Sequence, residues 1–286
     1  MYCTPPISVE DFYRGAREVL RLPENEPQVH VKPRVSSISR DAREIAYMMA
    51  NTPRTNDERG DLFLSAEQGR LMEEGSIKAL AGAGLYVMAR QMSLPREYPL
   101  TGHPDGWLTT NLMQGTLHSR LSDGKQWGFE HKHFGRWAYE DIMKKGLIEA
   151  APDIIGQVAL YGDALGWDRC MVVVTSQDAS SVRSDMTRNK KAKNPNARWA
   201  DDTEADPKVM IFGIDIEQAK FALVPALLQR AAWFSNWYAT DGDPQHVAWE
   251  HEPGKWWGWD YSQWGDLVRS QPQGTLHAPA LPWEDK

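Results

Sequence analysis

Val9, Phe12, Ala16, Val19 and Leu20 recur at helical spacing, so the first apolar stripe of the chain predicts a helix over Ser8 to Leu22. The Pro-containing stretch from Leu22 to Pro33 ends it, because proline lacks the amide that a continuing helix needs. A second helix is expected from about Ser39 to Met49. Ser65 followed by Gln68 has the spacing of a capping box and predicts the start of a third helix. That helix stays rich in helix formers to about Met92, with Gly82 and Gly84 as points where it weakens or ends. After Pro95 the pattern becomes extended, and Gly102 to Leu108, Leu112 to Arg120 and Trp127 to Phe134 read as strands. Ser122-Asp123-Gly124-Lys125 is the turn between the last two, since Asp-Gly tolerates the positive φ of a tight hairpin.

Ala151 to Leu165 returns to helical period, with Ile154, Val158, Tyr161 and Leu165 on one stripe. Arg169 to Ser176 contains the unbroken apolar run Met171-Val172-Val173-Val174, the mark of a strand covered on both faces, and Val209 to Ile214 is its expected neighbour. Between them Ala179 to Pro207 is polar, basic at its start and acidic at its end, and without period, which reads as a long loop. A last helix over Gln218 to Tyr238 precedes a Trp-, Gly- and Pro-rich tail. No internal repeat is visible. The order of elements predicts an α/β sheet covered by helices in a single domain over 1–286, with an N-terminal helical segment to about residue 60 and the tail from about 240.

A chain of 286 residues with 41% hydrophobic and 25% charged content can bury a substantial core, which excludes a disordered chain or a disulfide scaffold. Lys+Arg 32 against Asp+Glu 39 gives a net charge of -7, so any contact with nucleic acid must come from a local basic patch. The two cysteines, Cys3 and Cys170, cannot make a four-thiolate cluster. The N-terminus lacks the order of a signal peptide, and no apolar run approaches the roughly 18 to 20 residues that span a bilayer. A protein of the reducing cytoplasm is expected, with no membrane partner.

The chemistry concentrates in Gly102-His103-Pro104-Asp105 and, one strand later, Glu130-His131-Lys132. Strand side chains alternate, so Glu130 and Lys132 share a face that His131 does not. An antiparallel return of the hairpin brings Asp105 beside Glu130. Two carboxylates so placed repel each other, and a divalent cation between them removes the repulsion. A lysine on the same face can hold or help deprotonate an attacking water. The set suits phosphodiester hydrolysis, where a metal polarises the phosphoryl oxygen and acidifies water. Taken alone, these common residue types equally describe a solvated strand face.

Read in order, Gly69-Arg70-Leu71-Met72-Glu73 (G-x-x-x-E), Pro104-Asp105, Glu130-His131-Lys132 (ExK) and Gln157 with Tyr161 (Q-x-x-x-Y) resemble the motifs of the PD-(D/E)XK nuclease superfamily. The resemblance is to its RecB-like and phage lambda-exonuclease-like branch and covers Ser36 to Ile216. It implies a restriction-endonuclease-like core, with a central mixed β-sheet flanked by α-helices. It implies Asp105 and Glu130 as primary ligands of one or two Mg2+ or Mn2+ ions, with the His131 carbonyl as a further ligand. Lys132 would orient the water, Glu73 would bind or sit near a second metal, and Gln157 and Tyr161 would position the scissile phosphate or the water. Glu67 and Glu74 are close in sequence to Glu73; position in the motif favours Glu73 over Glu74, and any of the three also reads as a solvated helix carboxylate.

The implied activity is a deoxyribonuclease, an exonuclease processing DNA ends in recombination, repair or phage DNA metabolism, in a bacterial cell or phage-infected host. A structure-specific or nicking endonuclease on the same fold is the alternative, and a homo-oligomer or a recombination partner protein stays open. Ser37 to Tyr47 resembles the segment where related iron–sulfur nucleases carry cluster cysteines; it has none, so no iron–sulfur cluster is expected.

Two other classes compete with this reading. His131 and His133 form an H-x-H pair that could serve a transition metal, although Glu140 falls in a helical segment and His118 cannot be placed as a third ligand. A non-catalytic nucleic-acid-binding protein on the same fold would be expected to lack the carboxylates. Arg183, Arg188, Lys190, Lys191 and Lys193 concentrate positive charge in the long loop, as a DNA-binding patch or as a solvated face. The chain has 13 tryptophans, and those at 233, 237, 249, 256, 257, 259 and 264 are read as packing residues before base-stacking ones. His103, two positions from Asp105, could share its cleft or make a structural hydrogen bond.

Overall fold

A computed structural model describes residues 32–53, 60–110, 120–176, 209–253, 255, 262 and 264–284. The expected helix over Ser8 to Leu22, residues 112–119 of the expected strand, the loop Ala179 to Pro207 with its five basic residues, His118, and Trp256, Trp257 and Trp259 lie outside the described residues. In chain order the longer elements are α1 (Ala42–Met49), α2 (Gly60–Gly82), β1 (Tyr86–Met88), β2 (Gly106–Thr109), β3 (Trp127–Phe134), α3 (Arg136–Lys145), α4 (Pro152–Leu165), β4 (Arg169–Ser176), β5 (Val209–Asp215), α5 (Ile216–Thr240) and α6 (Gly265–Ser270). The chain divides into two compact units. One comprises Arg34–Ser39, Leu71–Ala231 and Ala280–Lys286, and the other includes Arg40–Arg70 and Ala232–Pro279.

The first unit holds a five-stranded mixed sheet in the order β1-β2-β3-β4-β5, with flanking helices, an α/β fold. Strands β1, β2 and β3 pair antiparallel, β3 and β4 parallel, and β4 and β5 antiparallel. The parallel pair needs a long crossover, which α3 and α4 supply. Ahead of β3 the expected turn forms: Gly124 has φ 72°, and the Leu121 amide donates to the Lys125 carbonyl at 2.9 Å. Both faces of β4 are buried. Met171 and Val173 pack with Phe129, Leu80 and Leu108 on one face, while Val172 and Val174 are covered on the other, which is why the run carries no polar alternation.

Three expectations are corrected. Helix α2 begins at Gly60 and passes through Ser65, so the Ser65/Gln68 spacing does not mark its start. The preceding Leu62-Phe63-Leu64 contains nothing that stops a helix. The helix also ends at Gly82, not near Met92; Gly84 follows at φ 81°, and Tyr86–Met88 pairs as an edge strand too short to show a period of its own. Strand β2 starts at Gly106, so residues 102–105 lead into the sheet and do not belong to it. Gly106 has φ 154°, and a Cβ there would stand 2.5 Å from Val87 Cγ1 and 2.8 Å from the Met88 carbonyl. Only glycine lets β1 approach in this register.

The second unit is organised by buried polar groups. Asp41 caps α1 by accepting from the Arg43 amide at 3.0 Å and also takes the amides of Glu250 (2.8 Å) and His251 (2.9 Å). Arg43 is fully buried and donates to the carbonyls of Val247, Pro272 and Gln245 at 2.7–2.9 Å, with its guanidinium 5.0 Å from the Trp249 ring centroid. Tyr47 stacks on Trp264, whose indole donates to the Thr52 carbonyl at 3.0 Å. Trp237 in α5 and Trp264 in the tail are buried as well, so both pack as the sequence suggested. Among the described residues no helix is long and apolar enough to cross a membrane.

Candidate functional site

Asp105 stands at the entrance to β2, and Glu130 and Lys132 project from one face of β3. The sheet brings them together within the first unit. Asp105 Oδ2 accepts from the His131 amide at 2.7 Å, so its side chain takes a main-chain donor of the neighbouring strand. Glu130 is 2% exposed, and its Oε1 accepts from Lys132 Nζ at 2.6 Å and from Gln157 Nε2 at 2.9 Å. Its other oxygen, Oε2, is buried without a hydrogen-bond partner. Gln157 reaches it from α4, and one turn later the Tyr161 hydroxyl donates to the His103 carbonyl at 3.3 Å. Glu130, Lys132, Asp105 and Gln157 are therefore joined in one site, with Tyr161 holding the segment that leads to Asp105.

Burial and the nearest carboxylate act in one direction on Asp105. Asp105 is pushed up to about 7, first by burial and then by the Glu130 charge, against the opposing pull of Lys132 and the His131 amide. Burial works to lower Lys132, but the Glu130 and Asp105 carboxylates outweigh it and hold the ammonium above the usual lysine range. Tyr161 is raised by burial and by Glu130, so its hydroxyl stays protonated. Lys132 is thus a fixed cation beside Glu130 and Asp105.

Two residues before Glu130, an aromatic cluster packs against β3. Gly128 lies on the same face of β3, and the Trp167 ring packs where its Cβ would be. Trp167 meets Trp107 edge-on at 5.9 Å and Tyr161 at 6.3 Å. A side chain at position 128 would push the indole away.

Glu73 in α2 is partly buried, and its carboxyl is raised by burial and by the charge of Asp105. Its Oε1 pairs with Arg90 Nη2 at 2.9 Å, and the same nitrogen is 2.8 Å from Glu74 Oε1. Glu67 is engaged elsewhere, by Arg70 Nε at 2.9 Å. Sequence reasoning missed Arg90 and also Gln91, whose Nε2 lies 3.3 Å from Asp105 Oδ1. No signal could have found them: Ala89 and Gln91 turn the chain with φ 49° and 55° although neither is glycine or asparagine.

The histidine pair lies on the opposite face of β3. His131 Nε2 and His133 Nδ1 both bond Thr175 Oγ1, at 3.1 and 2.9 Å, and burial drops the His131 pKa to about 4. His103 is exposed and bonds Ser93 Oγ at 3.2 Å. Among the described residues no three His, Cys, Asp or Glu side chains converge into a complete metal cage. A cation at Asp105 and Glu130 would therefore draw its remaining ligands from main chain, water or substrate. The donors fit a hard divalent ion: they are carboxylate oxygens, one of them a buried atom left unpartnered, a state that otherwise costs about 1–3 kcal/mol.

No profile of a known protein family matches the chain, and no curated protein matches it either. Among solved structures it is similar to one described as "Crystal structure of SSO0001", with a TM-score of 0.44 and 12% identity over 93% of this chain and 98% of that one.

Proposed function

We propose that this chain is a metal-dependent deoxyribonuclease of the PD-(D/E)XK kind. Asp105 and Glu130 would hold Mg2+ or Mn2+, together with the His131 carbonyl. When bound, the ion supplies positive charge for the phosphoryl oxygen and acidity for the attacking water. Lys132 Nζ, held 2.6 Å from Glu130, orients that water and keeps its charge at neutral pH. Gln157 fixes the Glu130 carboxylate through Oε1 and leaves Oε2 for the ion. Tyr161 fixes the approach to Asp105 through the His103 carbonyl.

The observation that carries the reading is the state of Glu130: a carboxylate 2% exposed, paired to Lys132 on one oxygen, unpartnered on the other, and close enough to Asp105 to raise its pKa. Buried acids in a merely structural role are normally fully hydrogen-bonded. The ordered motifs from Gly69 to Tyr161 extend the proposal to DNA ends and to an exonuclease of recombination, repair or phage DNA metabolism.

The test is digestion of linear DNA labelled at either end, and of circular DNA, with magnesium or manganese. Release of end label that stops in EDTA and is absent in Glu130→Gln supports the proposal. Cleavage of circles with the same dependence keeps the nuclease and replaces exonuclease by endonuclease. Full cleavage in EDTA, or none with either metal, overturns it.

A further inference from the structure

The turn Ala89-Arg90-Gln91 belongs to none of the motifs, yet it delivers two side chains to the acids. Positive φ at Ala89 and Gln91 disfavours any side chain with a Cβ by about 1 kcal/mol or more, so the surroundings must hold the turn in place. The Gln91 amide donates to the Pro104 carbonyl at 3.1 Å, and Gly106 comes so near that a Cβ on it would lie 3.6 Å from Arg90 Cγ. From this anchored turn Gln91 reaches Asp105, and one guanidinium nitrogen of Arg90 bridges Glu73 and Glu74. Glu73 lies within range of the Asp105 charge, and Asp105 within range of the Glu130 charge. Three acids are thus compensated from two sides, by Lys132 on Glu130 and by Arg90 on Glu73, while Glu130 Oε2 is buried and unpartnered.

We propose that Arg90 is a resident counter-ion standing in for a second divalent cation: by holding Glu73 it keeps the site to one ion until the guanidinium lets that carboxylate go. The inference rests on the metal-dependent reading above. Arg90 is a positioning residue, acting through Glu73. A merely structural Arg90 has the opposite signature, because its loss would loosen Glu73 and weaken or leave unchanged any metal binding.

The test reads bound Mn2+ in the DNA-free chain by calorimetry and by the spin resonance of free Mn2+, with circular dichroism to verify folding. Wild type should bind one ion, and Arg90→Gln a second one at least about tenfold tighter than any second ion of wild type, the scale of one neighbouring charge on a partly buried carboxylate. Arg90→Lys should restore wild-type stoichiometry, and Glu73→Gln added to Arg90→Gln should remove the second ion. Glu73→Gln alone, which does not depend on the turn folding without Arg90, should leave the single ion in place. The proposal is overturned if Arg90→Gln binds no more Mn2+ than wild type, or if Glu73→Gln alone strips the single ion. A single ion lost in Asp105→Asn but unaffected by Arg90→Gln sinks Arg90 alone; no Mn2+ bound by wild type sinks the metal reading itself.

Discussion

Asp41 and Glu130 are both carboxylates removed from water, one in each compact unit, and they are treated in opposite ways. Around Asp41 every need is met: three main-chain amides and the His251 ring point at it, and the neighbouring Arg43 spends its donors on three carbonyls. Around Glu130 the sheet adds a second acid, Asp105, places a cation on one oxygen and leaves the other without a partner. A satisfied buried charge fixes a tail onto a helix and has nothing left to offer a ligand. An under-satisfied one is a cost in the resting fold and an attraction for a cation.

The comparison breaks most visibly in activity. Glu130→Gln and Lys132→Ala should each lower cleavage about a thousandfold or more, while circular dichroism stays close to wild type. Both residues serve one assembly, so the double variant should lose hardly more than either single one. Near-native cleavage by Glu130→Gln would place Glu130 in the same structural category as Asp41.

The opposite outcome is expected for Arg43→Ala. It removes donors from the carbonyls of Val247, Pro272 and Gln245, and should destabilise the second unit by about 3 kcal/mol or more. Urea unfolding followed by tryptophan fluorescence reads this directly, because Trp249 and Trp264 pack in that unit. A loss under about 1 kcal/mol would mean that water replaces the guanidinium without difficulty.

The two acids also differed in how legible they were. That Glu130 shares a face with Lys132, and Gln157 with Tyr161, was legible because strand alternation and helical spacing are local rules, and β3, α4 and β4 form within a residue of where the pattern puts them; Asp105, which precedes β2, was singled out by the Pro104-Asp105 motif alone. Asp41 was not legible, since its partners Glu250 and His251 lie more than 200 positions away and nothing in the sequence announces a main-chain amide. Arg90 was hidden for a related reason: its place depends on a strained turn held by Pro104 and Gly106. The start of α2 was misread because a capping-box spacing is equally at home inside a helix. β1 was missed because three residues carry no period.

A smaller effect sharpens the comparison through pH. The folded pKa of Asp105, about 7, lies above the unfolded value of about 3.9, so folding favours its protonated form. That contribution is fully present below about pH 4 and is lost as pH rises toward 7. Asp105→Asn, which cannot ionise, should match wild type in metal-free buffer at pH 4. By pH 8 it should be more stable by about 2 kcal/mol, below the full linkage value because Asp105 is only half-buried. Magnesium should then raise the wild type and leave the variant unchanged. A difference that does not vary with pH would show that Asp105 ionises in the fold as freely as in water.

Neither carboxylate environment accounts for affinity, since an acidic site in a chain of net charge -7 repels DNA unless positive charge is gathered elsewhere. The densest run of it is Arg183, Arg188, Lys190, Lys191 and Lys193. If these residues hold phosphates, each contact displaces a counterion, and log affinity falls with log salt by about 0.7 to 0.9 per contact. Replacing all five by serine should weaken binding of a labelled duplex most at low salt and flatten that slope. Single-turnover cleavage at saturating enzyme should change little, because Asp105, Glu130 and Lys132 are intact. The two readouts separate holding from cutting. An unchanged slope removes the run from the DNA interface, and a collapsed single-turnover rate at normal affinity moves it into the assembly around Glu130.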